Sequence, residues 1–217
     1  MSSREDIAAM RRQYGEHGLV EGELPKNPIE LFNTWLTQAA ENEIVVEANA
    51  MVLSTEVDNQ PTSRTVLLKD LTQAGFTFFS NYESNKGKQI SENKNVSLLF
   101  PWYPMERQVI VIGSATKIAR EDSEKYFATR PRPSQIGAWA SEQSTELSSR
   151  QELEAKFKEL ENKFAQEKVI PTPPYWGGYI VDPISIEFWQ GRYSRLHDRI
   201  RYVREKNNNW QIKRLNP

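Results

Sequence analysis

The sequence predicts a mainly β fold with peripheral helices (α+β), in which antiparallel strands curl into a barrel. From about residue 50 the apolar residues recur with a period of two, which is typical of strands. These runs are short and rich in β-branched and aromatic residues. Turn-forming residues separate them, at Asp58–Pro61 and at Gly75. Short strands with short connections favour antiparallel pairing and a closed or partly closed sheet.

The chain begins with a polar arm, residues 1–26, in which Arg4 to about Tyr14 is predicted as a short helix. Asn27 is the predicted N-cap of the next helix and Pro28 occupies its first turn. Apolar residues then recur at helical spacing and should face a core: Leu31, Phe32, Trp35, Leu36 and Ala39. Strands are predicted at 50–57, 62–69, 76–81, 95–102 and 107–118, with a short helix at 85–93.

The second half of the chain continues the same domain, predicted to span residues 27–217. A helix at 121–129 should stop near Pro131 and Pro133, because the residue before a proline disfavours the helical conformation. An amphipathic helix is predicted within 148–166. The remaining strands are predicted at 176–182, 184–190, 195–205 and 210–215, with a turn at 207–209.

Composition excludes several classes of function. The 217 residues contain 28 Lys+Arg and 29 Asp+Glu, a net charge of −1, whereas nucleic-acid binders usually carry a basic excess. The chain has no cysteine and only two histidines, His17 and His197, so we expect no disulfide, no cysteine nucleophile and no metal site. No apolar run reaches the ~20 residues of a membrane span, and the N-terminus lacks the apolar region of a signal peptide. A cytoplasmic location is therefore predicted.

Common nucleotide-binding loops are absent from the sequence. Neither G-x-G-x-x-G nor G-x-x-x-x-G-K-[ST] occurs. A phosphorylated ligand would therefore be held by side chains and strand amides rather than by a glycine-rich loop.

The C-terminal third contains the first cluster of candidate functional residues. If residues 195–199 form a strand, Arg195, His197 and Arg199 project from one face. Two guanidinium groups beside a histidine suit an anionic ligand near a group that can exchange or share a proton. A solvated edge strand explains the same pattern equally well.

Two further clusters are candidates for phosphate binding. Tyr126 and Arg130 are four residues apart on one helix, and Ser134 could return to the same place after the prolines. An arginine at the negative end of a helix dipole is the simpler alternative.

The other cluster contains Arg64 and Lys69, followed by Lys86 and Lys88 near the start of a short helix. Arg64 and Lys69 differ in strand parity. They therefore serve different ligands unless a bulge or a strand end intervenes. Ordinary surface charge is the alternative reading of this cluster.

Taken together, these segments resemble the pyridoxamine/pyridoxine 5'-phosphate oxidase family. IEFWQG followed by RLHDR, from Ile186 to Arg199, is similar to that family's signature. Other segments match in family order, namely SRTVLLK, SLLFPW, ERQVIVIG, RPRPSQIGAW and the final RLNP. The resemblance runs from about Arg11 to Pro217.

The resemblance implies an FMN-binding split β-barrel that forms a homodimer with FMN at the interface. It implies oxidation of pyridoxamine 5'-phosphate or pyridoxine 5'-phosphate to pyridoxal 5'-phosphate. Hydride passes from the substrate C4' carbon to N5 of the flavin, and O2 is reduced to hydrogen peroxide. The amine substrate also releases ammonia. The flavin supplies the redox chemistry and the protein supplies orientation and charge.

The resemblance also implies roles for individual residues. Arg195 and His197 are implied as catalytic residues near the pyridine ring, and the arm as a lid that closes over the site. Asn85 stands where the family usually has an arginine on the FMN phosphate. The implied FMN contacts are Arg64, Thr65, Val66, Leu67, Leu68, Lys69, Phe79, Ser80, Asn85, Lys86, Gln108, Gln143, Ser144, Trp189 and Arg199. The implied substrate contacts are Arg11, Tyr14, Lys69, Tyr126, Arg130, Ser134, Arg195 and His197.

Two other classes of function compete with the oxidase. Split barrels also serve as binding proteins, so a non-catalytic FMN- or phosphate-binding barrel is the main alternative. The combination of Arg195, His197, Tyr126 and Arg130 favours the enzyme, because a binding protein has no need of a substrate phosphate clamp. A barrel that binds nucleic acid is disfavoured by the net charge and by the lack of an alternating aromatic and basic strand.

Overall fold

The computed structural model describes Ala9, Tyr14, Gly15 and residues 18–217. Most of the predicted arm helix, including Arg11, lies outside the described residues. The described part of the chain contains no helix long and apolar enough to cross a membrane.

Five α-helices lie in the described part of the chain. They are α1 (Pro28–Ala40), α2 (Asn85–Glu92), α3 (Arg120–Thr129), α4 (Arg132–Ala140) and α5 (Arg150–Phe164). Short 3-10 turns occur at Glu21–Glu23, Tyr103–Met105 and Tyr193–Arg195.

Nine strands of the described residues form one sheet. They are β1 (Ala50–Val57), β2 (Gln60–Leu67), β3 (Asp70–Thr72), β4 (Gly75–Asn81), β5 (Asn95–Trp102), β6 (Arg107–Lys117), β7 (Trp176–Gln190), β8 (Asp198–Arg204) and β9 (Trp210–Leu215). The pairing order is β2-β1-β5-β6-β7-β4-β3, and β8 pairs with both β7 and β9. The pairs β1–β2, β3–β4, β4–β7, β7–β8 and β8–β9 are antiparallel. The predicted mainly β fold with helices is confirmed.

Local sequence signals account for several of these elements. Asn27 caps α1 as predicted, since its side chain accepts a hydrogen bond from the Ile29 amide at 3.0 Å. Asp58 and Asn59 both have positive φ, which suits the two-residue turn between β1 and β2. The β3–β4 turn ends at Gly75, whose φ of +137° is open only to glycine without strain.

Contacts within the chain cluster into two compact units. The first contains residues up to Ala48 together with Leu99–Val111 and Ser185–Pro217. The second contains Asn49–Leu98 and Ile112–Ile184. The boundary predicted between an arm at 1–26 and a domain at 27–217 stays a prediction.

The core of the first unit is aromatic. Phe32 of α1 packs edge-on against Phe100 with ring centres 4.8 Å apart, and Trp35 packs against Phe188 at 5.2 Å. These contacts fix α1 against β5 and β7. The predicted apolar face of α1 is therefore confirmed, with Leu36 only half-buried.

The second unit has its own core beneath the helices. Phe127, Ile136, Phe164, Ile170 and Trp176 form a buried cluster that joins α3, α4, α5 and the start of β7. Phe157 and Leu160 of α5 pack against it, as the amphipathic pattern of that helix predicts.

Three elements differ from the prediction. First, α4 follows α3 almost at once, where the prolines were expected only to end a helix; Pro133 lies in the first turn of α4, a position that proline favours. Second, β7 runs unbroken through Pro183. That residue lies between the ladder to β4 (176–181) and the ladder to β8 (185–190), so neither ladder needs its missing amide.

The third difference concerns the strand predicted from residue 195. β8 begins only at Asp198, so the strand-parity argument that placed Arg195, His197 and Arg199 on one face is wrong. Arg195 belongs to a 3-10 turn and has φ of 62°, and His197 lies between that turn and the strand.

Candidate active site

A cavity of about 720 Å³ lies in the second unit. The end of β2, strand β4 and helices α2, α3 and α4 contribute its walls. The sequence-predicted residues that line it are Thr65, Val66, Leu67, Lys69, Phe79, Ser80, Lys86, Tyr126, Arg130, Ser134 and Gln143.

Lys86 forms one cationic position of this cavity. Its ammonium group donates to Gln143 Oε1 at 2.6 Å, Ser84 Oγ at 3.0 Å and Ser80 Oγ at 3.1 Å. All three acceptors are neutral, and Lys86 is only 8% exposed. Burial, with a smaller effect from the charge of Arg64, lowers the pKa of Lys86 to about 8. A bound anion would stabilise this buried charge.

Arg64 lies on β2 but does not line the cavity. Its guanidinium donates to Thr55 Oγ1 and Thr62 Oγ1, both at 2.6 Å, and to Gln89 Oε1 at 3.1 Å. These acceptors are also neutral, and burial lowers the pKa of Arg64. Lys69 does line the cavity, because β2 ends at Leu67 and frees it from the strand's alternation. From the sequence, a strand end between Arg64 and Lys69 was one possible reason for their different directions. β2 does end between them, at Leu67.

Arg130 forms the other cationic position. Its Nη1 atom is buried and has no hydrogen-bond partner among the described residues. Its guanidinium lies 4.8 Å from the centre of the Trp176 ring. Burial lowers the pKa of Arg130 and raises that of the neighbouring Tyr126 phenol.

The interruption between helices α3 and α4 places Arg130 at the cavity. Arg130 has an extended backbone (φ −71°, ψ 147°), as expected of the residue before Pro131. The chain then re-enters a helix, and the Ser134 amide donates to the Pro131 carbonyl at 2.8 Å. The predicted meeting of Tyr126, Arg130 and Ser134 at one place is confirmed, although Ser134 arrives on a helix.

Aromatic rings form a wall of the cavity beside Arg130. Phe79 and Tyr126 stack with centres 3.9 Å apart and planes 18° apart, and Phe79 stacks on Trp176 at 5.4 Å. Trp176 was not singled out from the sequence. Its position as the first residue of the predicted strand WGGYIVD carried no functional signal.

A separate cluster in the first unit contains His197, Trp189 and Tyr14. The His197 ring centre lies 4.8 Å from that of Trp189 and 5.4 Å from that of Tyr14. Nδ1 of His197 accepts a hydrogen bond from the Arg192 amide at 3.1 Å. Arg195, on the same turn, is exposed. Burial and the charge of Arg195 lower the pKa of His197.

Arg199, also in the first unit, is held by a buried carboxylate. Glu187 Oε1 accepts from Arg199 at 2.7 Å, and Glu187 Oε2 accepts from Arg201 at 2.7 Å. Burial raises the pKa of Glu187, but the hydrogen bonds from the two arginines outweigh it and leave the pKa below its usual value. Glu187 was not identified from the sequence as a candidate functional residue. A charged residue within the largely apolar run IEFWQ could have indicated its buried role.

The remaining predicted residues do not line the cavity. Asn85 is exposed at the first position of α2, and Leu68 is buried. Gln108 is half-buried on β6, and Ser144 is exposed in the loop after α4 with φ of 76°.

The cavity has an aromatic wall and, besides the exposed Lys69, two cationic positions that lack a carboxylate partner among the described residues. These features define a protein that binds planar, phosphorylated ligands. The comparisons with known proteins agree. A family model described as pyridoxamine 5'-phosphate oxidase matches residues 37–164. A second, described as the pyridoxine 5'-phosphate oxidase C-terminal dimerisation region, matches residues 176–217.

Full-length relatives share about half of their residues with this chain. A pyridoxine/pyridoxamine 5'-phosphate oxidase from Rippkaea orientalis is 54% identical over 213 residues, covering 98% of this chain and 100% of its own. One from Shewanella sediminis is 50% identical over 218 residues, covering 100% of both chains. One from Streptomyces avermitilis is 48% identical over 216 residues, covering 98% of this chain and 96% of its own.

Solved structures show the same fold. PhzG from Burkholderia lata 383, in complex with tetrahydrophenazine-1-carboxylic acid, superposes with a TM-score of 0.85 at 30% identity, covering 93% of this chain and 99% of its own. An FMN-binding protein of Nostoc punctiforme related to pyridoxamine 5'-phosphate oxidase superposes with a TM-score of 0.68 at 15% identity, covering 87% and 96%. The predicted split-barrel fold is confirmed, and the chain belongs to the pyridoxamine 5'-phosphate oxidase family.

Proposed function

We propose that the protein is an FMN-dependent oxidase that converts pyridoxamine 5'-phosphate or pyridoxine 5'-phosphate to pyridoxal 5'-phosphate. The observation that carries the proposal is that one cavity contains two separate cations whose charges are not neutralised by a described carboxylate: the buried Lys86, and the half-buried Arg130 with its buried Nη1. A flavin mononucleotide and a phosphorylated substrate each bring one phosphate. The oxidase names of the full-length relatives supply the reaction.

The residues present fit FMN. Lys86, with Ser80, Ser84 and Gln143 around its ammonium group, would hold the cofactor phosphate. The end of β2, residues 65–67, would lie along the ring system, since strand amides and apolar side chains suit a flat heterocycle. When bound, FMN accepts hydride from the substrate and passes the electrons to O2, which gives hydrogen peroxide.

The chain's own contribution to the reaction is binding and orientation. Arg130 would pair with the substrate phosphate through its unpartnered Nη1, and the hydroxyls of Tyr126 and Ser134 would donate hydrogen bonds to it. The Phe79–Tyr126 stack excludes water from one side of the cavity. Lys69 adds a third cation, exposed at the end of β2.

We further propose that two copies of the chain build each site. The cavity lies in the second unit, whereas His197, Arg195, Trp189 and Arg199 lie in the first. The match of residues 176–217 to a dimerisation region supports a homodimer in which these residues serve the partner's cavity, with FMN at the interface. In that arrangement Arg195 and His197 would contact the substrate ring.

The reaction is tested by loading the purified protein with FMN and supplying each phosphorylated substrate under air. We expect pyridoxal 5'-phosphate and hydrogen peroxide in equal amounts, with ammonia from the amine only. Pyridoxine without its phosphate is the matched control and should be a poor substrate. A protein that binds FMN stoichiometrically but forms no pyridoxal 5'-phosphate would be a binding barrel, and the oxidase proposal would be wrong.

A further inference from the structure

His197 is hydrogen-bonded by the protein's own backbone. The amide of Arg192 donates to Nδ1 of His197 over 3.1 Å. A backbone amide is only a donor, so Nδ1 must present a lone pair. The neutral imidazole must then carry its proton on Nε2.

The hydrogen bond closes a tight loop between β7 and β8. Tyr193–Arg195 make a single 3-10 turn, in which Ser194 and Arg195 have φ of 56° and 62°. The Leu196 amide donates back to the Tyr193 carbonyl at 3.0 Å. Left-handed angles are uncommon for residues other than glycine, and here two occur in succession within the turn that the Leu196 hydrogen bond closes.

Both sides of the Arg192 amide are anchored. On one side, the Gly191 amide donates to the Glu106 carbonyl at 2.7 Å. On the other, the Arg192 guanidinium forms an ion pair with the buried Asp198 at 3.2 Å. The amide that faces His197 therefore has a fixed direction.

The groups around the ring favour the neutral form. The aromatic rings of Trp189 and Tyr14 pack against it. Arg195 is a nearby cation, and together with burial it lowers the pKa of His197. Asp198 is bound to Arg192, Arg214 and the Leu19 amide, and Glu106 accepts from the Gly15 amide. The described hydrogen bonds of Asp198 thus go to these three donors and not to the imidazole.

We propose that the turn at residues 191–196 sets the tautomer of His197, so that His197 meets the substrate as a neutral hydrogen-bond donor through Nε2–H. The part that concerns the substrate rests on the proposed function. The partner atom must be an acceptor, such as the ring nitrogen of the phosphorylated pyridine or the oxygen of a hydroxyl group attached to that ring. His197 therefore orients the substrate and does not take a proton from it, because its outward nitrogen is already protonated. Arg192 is a positioning residue that acts through its backbone amide.

The tautomer can be read directly by nitrogen NMR. The chain has only two histidines, so His17→Gln leaves His197 as the single imidazole. In ¹⁵N-labelled protein at neutral pH we expect a protonated Nε2 and an unprotonated Nδ1, with and without FMN. A proton on Nδ1, or on both nitrogens, would overturn the proposal. This readout requires no turnover, so it stands even if the protein proves not to be an oxidase.

Two near-isosteric variants test the role of the donor. His197→Gln can place an amide N–H near the Nε2 position, whereas His197→Asn can accept from the Arg192 amide but has no donor at that distance. We expect His197→Gln to keep kcat/KM within about tenfold of wild type and His197→Asn to fall about tenfold further. Both should keep the wild-type FMN content and Tm, and the kcat/KM–pH profile of His197→Gln should keep its shape. Equal losses in the two variants, or a lost ionisation in the His197→Gln profile, would contradict a donor role.

Discussion

The arginines beside Glu187 and the cations of the cavity are satisfied in opposite ways. In the first unit, Arg199 and Arg201 share the buried carboxylate of Glu187. In the cavity of the second unit, Lys86 has only neutral acceptors and one nitrogen of Arg130 has none among the described residues. A buried cation without a counter-charge is costly, so such groups persist where a ligand supplies the anion. Uncompensated charge thus marks the cavity as a binding site, whereas Arg199 would meet any ligand with its charge already paired to Glu187.

Replacing Lys86 should separate cofactor binding from stability. Lys86→Met removes the charge that would meet the cofactor phosphate, and we expect the Kd for FMN to rise about tenfold to a hundredfold. The FMN-free protein should keep or raise its Tm, because the buried cation is a cost without its ligand. Lys88→Met, on the exposed side of the same helix, is the control and should leave Kd unchanged. A lower Tm with an unchanged Kd would show that Lys86 is structural.

The same lysine makes FMN binding depend on pH. The pKa of Lys86 is lowered to about 8 in the ligand-free protein, and a bound phosphate must raise it by favouring the charged form. Affinity should therefore be greatest below pH 8 and fall above it, by up to about tenfold per pH unit. Fluorescence titrations from about pH 6.5, above the second phosphate pKa, to about pH 9 measure this slope. The slope should vanish in Lys86→Gln, and a slope that survives there belongs to another group.

Arg130 and Tyr126 should govern the affinity for the substrate. Arg130→Met removes the unpartnered guanidinium, and we expect KM for pyridoxine 5'-phosphate to rise tenfold or more, with a smaller change in kcat. Tyr126→Phe keeps the stack on Phe79 and removes only the hydroxyl, so its effect on KM should be smaller. Steady-state kinetics on FMN-saturated protein measures both. A fall in kcat at constant KM would place Arg130 beside the reacting carbon instead.

At the scale of elements, the sequence predicted periodic segments well and their junctions poorly. The boundaries of β1, β5 and β9 follow from alternation and flanking turns. The segment RPRPS was ambiguous, because proline both ends one helix and favours the first turn of the next. Basic and apolar alternation extended β8 too far, since it could not reveal the two left-handed residues that end the turn at Arg195.

A glycine in helix α4 tests whether space for the ligand has been kept at the expense of helix stability. Gly137 lies inside the helix and lines the cavity, and an added Cβ would meet no atom within 4 Å. Gly137→Ala should stabilise the FMN-free protein by about 1 kcal/mol through helix propensity. The new methyl group projects into ligand space, so affinity for FMN or substrate should fall. Thermal unfolding and ligand titration measure the two effects, and improved stability with unchanged affinities would show that Gly137 does not limit the space for ligand.

At the scale of the whole molecule, the sequence pattern could not predict which candidate residues belong to which of the two units. Tyr126, Arg130 and Ser134 are close in sequence, so their meeting could be predicted locally. Lys86 and Gln143 are far apart in sequence and meet through the packing of α2 beneath the loop after α4, which only the folded chain reveals. The resemblance to a known family supplied what local pattern lacked, including the expectation that a second chain contributes to the site.

A mixture of two impaired variants, assayed at a substrate concentration well below KM, tests whether a second chain completes the site. Arg130→Ala damages the cavity of the second unit, and His197→Ala damages the cluster of the first. In a symmetric dimer with shared sites, the mixed dimer has one doubly damaged site and one intact site. Random pairing makes half of the dimers mixed, so co-expression should restore about a quarter of wild-type activity. Restoration should disappear when both changes are carried on one chain. If the co-expressed variants have no more activity than each variant alone, the whole site lies within a single chain.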